Sequence, residues 1–447
     1  MLPPIFDFKV NCMRFILLVL CGLNYFLGFG QAFTSYYTGD TIDVVSSPTS
    51  GTVLMGGASE NDYAMRWFLE RADGGDVLVL RASGEDGYND YFYSELGISV
   101  NSVQTIVCNS AAASIDPYLI AQIENAEALW FAGGNQWDYI SFWRDTPVED
   151  AINFVVNEKK IPIGGTSAGS AIMGEAYFSA ENGSATSAQS LYDPFNDYMT
   201  LGYDDFIQNP VTMDLITDTH YDNPDRRGRH VAFLARLFND YGHPFYGIGC
   251  EEYTAVCIDE NNIAHAYGSY PGEEDYVYFI QVNCFEPQEP ELCVDGEKLT
   301  WNRNDVALKV IKMGADNFGS GTLDLNDWKT AAGDDFTWEN WWVEDGILNV
   351  LSDASAIDCT VANEDLIPDH QFIKIYPNPV SEKLTIEIKD NSEIIFYQLI
   401  NMNGKIVKSG DLRGNITAID IEKFPPSIYT LKIFNSKNYF VYNVMVY

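Results

Sequence analysis

The sequence predicts an α/β fold: a doubly wound, mostly parallel sheet with a nucleophile elbow, followed by a β-rich extension and a small all-β sandwich tail. Three observations predict it. From residue 51 to about residue 249, short apolar runs alternate with segments of helical periodicity, the pattern of strand–helix–strand units on a parallel sheet. One of those runs ends in Gly165-Thr166-Ser167-Ala168-Gly169, a G-x-S-x-G string placed where a strand passes into a helix. Beyond residue 371, apolar and polar residues alternate in short segments set apart by Asn403-Gly404 and Arg413-Gly414, as in a small sandwich.

The first element is an export signal, residues 1–32. Met13-Arg14 give a positive start, with Met13 a candidate initiator, and the apolar stretch 15–27 runs into the small residues Gly28, Gly30 and Ala32. Gly22, Asn24 and Gly28 interrupt the stretch, leaving it short of the roughly 20 apolar residues a spanning helix needs. Leu20 is too large to favour a lipoprotein signal at Cys21.

Residues 40–285 form the expected catalytic domain. Within it, 52–55, 76–80, 103–107, 128–131 and 161–163 read as buried parallel strands, and 63–72 and 147–156 as helices with one apolar face. The helix-forming run 170–176 follows Ser167. Strands are expected at 211–216 and 245–249, and the tighter alternation of 254–258, 263–267 and 276–282 is expected to complete the edge of the same sheet.

Residues 286–362 make the β-rich extension, where Trp301, Trp328, Trp338, Trp341 and Trp342 are expected to pack rather than line a carbohydrate or peptide groove. A linker, 363–371, leads into the tail, 372–447, with strands at 384–388, 395–400, 405–409, 429–434 and 440–446.

Charge sets the tail apart. The whole chain carries 64 acidic and 26 basic residues, a net −38, which argues against nucleic acid as a partner. From residue 372 onward 9 basic residues meet 7 acidic ones, so the tail holds +2 and the body −40. Beyond the signal, Cys108, Cys250, Cys257, Cys284, Cys293 and Cys359 remain, an even set in an exported chain, with Cys284–Cys293 the favoured disulfide. Neither a Cys-x-x-Cys nor a His pair at ligand spacing is present, so no metal and no cofactor are expected.

The chemistry centres on Ser167. Small residues flank it because an elbow strains the backbone, and larger side chains would strike neighbouring strands. The N–H of Ala168 is positioned for a developing oxyanion, helped by the following helix, and Gly134 in Phe131-Ala132-Gly133-Gly134-Asn135-Gln136 is the second candidate donor. A phosphate-binding glycine turn is the competing account of this run, but no P-loop Lys follows.

A serine hydroxyl needs a base, and the chain has only 5 histidines. His220 follows a strand and shares the rim of Ser167, whereas His230, His243, His265 and His370 suit packing or solvated positions. An acid must orient the imidazole, and Glu251-Glu252 follow the strand 245–249, one functional and the other solvated.

These residues resemble the cyanophycinase and dipeptidase E group of serine peptidases, whose fold is similar to that of class I glutamine amidotransferases. The resemblance is carried, in order, by Met55-Gly56-Gly57, the run from Phe131 to Gln136, the elbow, Asp218-Thr219-His220-Tyr221 with Arg226 to Arg229, and Gly247 to Ala255. It implies Ser167 as nucleophile, His220 as base and Glu252, rather than Glu251, as acid. It also implies Gln136, Asp218 and Arg226 around a substrate that in cyanophycinases is a β-linked aspartyl-arginine unit. Two departures bear on that substrate: Thr219 stands where cyanophycinases tend to have Gln, and Pro224 where an Arg is usual.

The tail resembles the sorting domain of type IX secretion cargo, through Ile375-Tyr376-Pro377-Asn378-Pro379, Asn403-Gly404-Lys405 and the run from Ser427 to Ile433, with Ser427 replacing an expected Gly. The reading is therefore an exported serine peptidase, expected to be an exopeptidase, with a peptide substrate and the type IX machinery as partners. A homodimer is admitted. The alternatives are an inactive surface or binding protein on the same fold and, for want of an elbow Cys, less readily a glutamine amidotransferase.

Overall fold

The computed structural model describes residues 32–359, 373–388, 395–401, 405–412, 416–434 and 439–447. Residues 1–31 of the export signal, the linker 363–371 and the turns at Asn403-Gly404 and Arg413-Gly414 lie outside these residues. The chain forms two compact units that part between Ile357 and Asp358.

In chain order the first unit begins with β1 (Phe33–Gly39), β2 (Gly51–Met55), β3 (Asp76–Arg81), β4 (Ser102–Cys108), β5 (Ala128–Phe131) and β6 (Pro162–Thr166). There follow β7 (Ala176–Phe178), β8 (Leu201–Tyr203), β9 (Leu215–Asp218), β10 (Tyr246–Cys250), β11 (Ala255–Ile258) and β12 (Ile263–Tyr267). The unit closes with β13 (Tyr276–Val282), β14 (Leu308–Gly314), β15 (Gly321–Asp324), β16 (Ala331–Ala332), β17 (Phe336–Glu344) and β18 (Ile347–Leu351).

These strands form two sheets. The first runs β1-β4-β3-β5-β6-β2-β11-β12-β15-β16 and the second β18-β17-β14-β13-β10-β9-β7-β8. Its five central strands, β4-β3-β5-β6-β2, are mutually parallel, as the apolar runs predicted. Alternation along the strands sorts side chains to two covered faces. Val53, Val77 and Val79 pack with Met65 and Phe68 of the helix Asp62–Glu70, while Leu54, Leu78 and Leu80 pack with Leu119, Ile123 and Val148 of the helices Pro117–Asn125 and Pro147–Phe154.

Three expectations change. The late strands do not all close the edge of one sheet: β11 and β12 continue the first sheet from β2, whereas β13 pairs with β10 in the second. The helix after Ser167 is a single turn, Ala168–Ala171, rather than 170–176. Gly174 then lies so close to the Leu215 carbonyl that an added Cβ would be 2.4 Å from it, and the chain enters β7 beside β9. The strand expected at 211–216 is instead a short helical turn, Pro210–Thr212, followed by β9.

Residues 286–357 extend both sheets: β14, β17 and β18 lengthen the second, and β15 and β16 the first. Trp301, Trp328, Trp338 and Trp341 are buried among them and Trp342 is half-buried, so their role is packing. The favoured Cys284–Cys293 pair is corrected. Cys293 is a buried free thiol, while Cys284 and Cys359 are each disulfide-bonded.

Among its described residues, the strands of the second unit pair antiparallel, three in one sheet and four in another, around a shared core that includes Leu384, Leu399 and Leu431. Its strand Ile416–Asp420 was not expected, because only Ile419 among its residues is buried and no alternation announces it.

Candidate active site

Ser167 directly follows β6, the strand between β5 and β2. Its φ of 51° and ψ of −114° put it in the strained turn that G-x-S-x-G requires, and its N–H is held by the Met55 carbonyl at 3.1 Å. The flanking glycines are forced by contact: a Cβ on Gly165 would be 2.5 Å from the backbone of Gly169, and one on Gly169 would be 2.2 Å from the Phe131 carbonyl.

The other two members come from the second sheet. His220 follows β9, and Glu252 lies where the chain crosses from β10 to β11. Ser167 Oγ is 2.8 Å from His220 Nε2, and His220 Nδ1 is 2.6 Å from Glu252 Oε1. The His220 bond holds the Glu252 carboxyl below its usual range. Asn223 Nδ2 adds a 3.3 Å bond to Glu252 Oε2, and Asp222 Oδ1 accepts the Glu252 N–H at 2.9 Å.

The backbone around His220 is fixed from every side. Its φ is 47°, its N–H donates to the Gly56 carbonyl at 2.8 Å, and the Gly57 carbonyl accepts the N–H of Tyr253 at 3.0 Å. A Cβ on Gly57 would be 2.5 Å from His220 Nε2, so a side chain there would occupy the space of the imidazole. Gly56-Gly57 thus ties the first sheet to both elements that carry His220 and Glu252. The sequence signal was a Gly-Gly pair directly after a strand.

Not every expected site residue faces the centre. Asp218 is 3% exposed and engages Arg229 through two bonds of 2.5 and 2.8 Å, while also accepting the Thr219 N–H at 2.8 Å. Burial alone would raise its pKa, and the Arg229 guanidinium overrides burial and holds the carboxyl low. Both of its oxygens are therefore engaged within the protein. Glu251, expected to be solvated if Glu252 is functional, is buried at 9% exposure.

Arg226 differs. It donates to the Thr219 carbonyl at 2.9 Å, and no carboxylate pairs with it among the described residues. Burial and the neighbouring Arg229 lower its pKa. Gln136 starts the helix Gln136–Trp143 and donates to the Phe178 carbonyl at 3.2 Å. Ala168 is the first residue of its one-turn helix, so its N–H has no intrahelical acceptor. The glycine loop after β5 borders the serine: a Cβ on Gly133 would be 3.6 Å from Ser167 Cβ, and one on Gly134 would be 3.7 Å from Ser83 Oγ.

Sequence reasoning gave Arg229 and Tyr221 no individual role and expected a packing or solvated position for His230. Tyr221 Oη is 3.1 Å from His230 Nδ1, whose Nε2 is 3.2 Å from the Ile216 carbonyl, and both residues are buried. Burial lowers the His230 pKa to about 4.

Residues 85–265 match the model of Peptidase family S51, and residues 374–447 match that of the secretion system C-terminal sorting domain. The chain is similar to the cyanophycinase of Synechococcus elongatus, 23% identical over 253 residues that cover 53% of this chain and 73% of that protein. It is likewise 24% identical over 231 residues to the cyanophycinase of Geminocystis herdmanii, covering 49% and 78%. Among solved structures, a peptidase from an acI-B1 Actinobacterium covers 52% of this chain and 91% of its own at 12% identity, with a TM-score of 0.38. The family model and the curated relatives support a peptidase of this family. The tail marks the chain for export by type IX secretion, to the cell surface or beyond.

Proposed function

We propose that this chain is a serine-type exopeptidase that hydrolyses aspartyl peptide bonds through an acyl-enzyme on Ser167. The observation that carries the proposal is the unbroken hydrogen-bonded chain from Ser167 Oγ through His220 to Glu252, at 2.8 and 2.6 Å. His220 Nε2 takes the Ser167 proton as Oγ attacks the scissile carbonyl, and Glu252 stabilises the imidazolium and fixes its tautomer. The imidazolium then protonates the leaving amine, leaving an ester on Ser167. Water, deprotonated by the same imidazole, attacks that ester, and the proton returns to Ser167 as the acid product leaves.

The N–H groups of Ala168 and Gly134 are the proposed oxyanion donors. A single helical turn supplies little dipole, so these local N–H groups carry the stabilisation. Arg226, paired with no carboxylate among the described residues, is suited to bind a substrate carboxylate, and Gln136, whose amide donates to the Phe178 carbonyl, is a second candidate contact. A free substrate carboxylate in that position is what makes the enzyme an exopeptidase.

The β-aspartyl-arginine bond of cyanophycin is one candidate within this class. Thr219 is 4% exposed and has no side-chain amide, so it does not offer the contact a Gln could make at that position. An inactive binding protein on this fold is the alternative, and the 2.8 Å approach of His220 to Ser167 weighs against it. The relatives give no support to a homodimer.

The test is hydrolysis of α-aspartyl, β-aspartyl and β-aspartyl-arginine dipeptides, with fluorophosphonate labelling in parallel. Ser167→Ala is expected to lower turnover by about 10⁴-fold or more and to abolish labelling. Equal cleavage and labelling by this variant would sink the proposal. Deleting residues 372–447 is expected to leave the enzyme in the periplasm, as fractionation of the culture will read.

A further inference from the structure

We propose that Glu251 is a positioning residue: its side chain takes the place of its own backbone carbonyl in the β10–β13 ladder, letting the chain leave the second sheet and deliver Glu252 to His220. The inference rests on the proposed roles of Ser167, His220 and Glu252.

The argument begins with the ladder. β10 and β13 are antiparallel, and their last pair is Cys250 with Val277. One further step would pair Glu251 with Tyr276, each residue donating its N–H to the other's carbonyl. Half of that pair is present, since the Glu251 N–H donates to the Tyr276 carbonyl at 3.3 Å. The other half is replaced. The Tyr276 N–H donates at 2.8 Å to Glu251 Oε2, a side-chain atom.

The freed carbonyl of Glu251 turns inward. It accepts the Thr254 N–H at 3.2 Å and Thr254 Oγ1 at 2.8 Å, which closes the corner between β10 and β11. It also lies where a Cβ on Gly56 would be, 1.9 Å from it, beside the glycine pair that holds His220. Glu252 is the next residue in that corner, and Tyr253 after it has a φ of 66°.

The side chain of Glu251 is fixed at its second oxygen too, where Tyr278 Oη donates to Oε1 at 3.1 Å. The groups facing it are Tyr276 and Tyr278 of β13, Lys312 of β14, which lies over the Tyr276 ring at 3.7 Å, and Asp222 from the loop after His220. Glu252 is its chain neighbour. Burial raises the Glu251 pKa to about 7, with Asp222 adding to the rise and the Tyr276 and Tyr278 bonds and Lys312 opposing it. Both protonation states keep the clamp. The carboxylate accepts two bonds, and the neutral acid accepts from the Tyr276 N–H while donating to Tyr278 Oη. A glutamine can do the same as the neutral acid, whereas an alanine leaves the Tyr276 N–H without its acceptor.

The test uses the full exported chain and two readouts. One is the downfield proton NMR signal of His220 Nδ1–H, assigned by its loss in His220→Gln. The other is the rate of fluorophosphonate labelling. Glu251→Ala is expected to lose the NMR signal and to label at least tenfold more slowly, and Glu251→Gln to keep the signal and label within threefold of the parent. If Glu251→Ala fails to fold by circular dichroism, Tyr278→Phe decides, with a weakened signal and severalfold slower labelling expected. Parent-like signal and rate in the deciding variant would overturn the proposal. Its failure is distinguishable from failure at Ser167, because the NMR signal reports the His220–Glu252 bond alone, whether or not Ser167→Ala changes labelling.

Discussion

Asp218, the last residue of β9, and Glu252, in the corner after β10, are two carboxylates built in opposite ways. Asp218 is sealed, 3% exposed, with both oxygens and a guanidinium locked together and the cation further fixed by Ser184 and the Ala185 carbonyl. Glu252 keeps 17% of its side chain exposed, bonds a single imidazole closely, and receives only a long 3.3 Å bond from Asn223 on its other oxygen. A charge pair with every lone pair and proton satisfied can hold a fold but has nothing left for a reaction. A pair with one titratable partner and one open side can change protonation during turnover.

The largest effect that could break this comparison is at Glu252. Glu252→Gln removes the charge that favours the imidazolium, and turnover of the best aspartyl dipeptide is expected to fall by about 10²–10⁴-fold with the melting temperature nearly unchanged. An unfolded Glu252→Gln protein with no separate loss of rate would place Glu252 in the same class as Asp218.

Asp218→Ala is expected to do the reverse. It strands the Arg229 charge in the interior and should cost about 3–5 kcal/mol of stability, read by urea unfolding. Replacing both partners together, Asp218→Leu with Arg229→Met, should cost much less, because no unpaired charge remains. A double variant as damaged as Asp218→Ala would mean that the pair itself, and not the orphaned charge, is what the fold needs.

The difference between the two carboxylates was only partly legible in the sequence. Ser167, His220 and Glu252 follow strand ends, and glycines mark the elbow, so local chemistry brings them to mind before any packing is known. Asp218 reads from its position as another rim residue. What seals it is Arg229, on a helix that begins nine residues later, and no local pattern states that the two point at each other. The division into two sheets was hidden for a similar reason. β10 and β11 are separated by only the corner 251–254, and nothing in so short a segment says that it crosses from one sheet to the other. The Cys284–Cys293 expectation failed because close sequence spacing is a poor guide to which thiols meet across a fold.

A smaller effect sharpens the comparison through pH. His230, buried behind Tyr221, has its pKa lowered to about 4 by burial, below the unfolded value near 6.5. A base with a depressed pKa stabilises the fold above the unfolded pKa and loses that contribution as pH falls through 6.5 towards 4. The loss amounts to about 3 kcal/mol. Glu251 runs in the opposite sense, because its pKa is raised to about 7, so its contribution is present at low pH and lost as pH rises through 7. The stability difference between the parent and His230→Gln isolates the first contribution, and is expected to shrink by about 3 kcal/mol between pH 7 and pH 4. A difference independent of pH would show that His230 carries no such burden.

The smallest effect concerns the two arginines that flank the site. Arg229 has its carboxylate, and among the described residues Arg226 bonds the Thr219 carbonyl and pairs with no carboxylate. If Arg226 is held ready for a substrate carboxylate, the planar fork matters, and Arg226→Lys should raise KM by about 10-fold while leaving kcat and the melting temperature close to the parent. Arg229→Lys should instead lower stability, since a lysine cannot reproduce the two bonds to Asp218 in a closed pocket. The outcome that would sink the substrate role is a fall in melting temperature for Arg226→Lys with KM unchanged. Its bond to Thr219 would then be its whole purpose, and Arg226 would be a second clamp on the segment that presents His220.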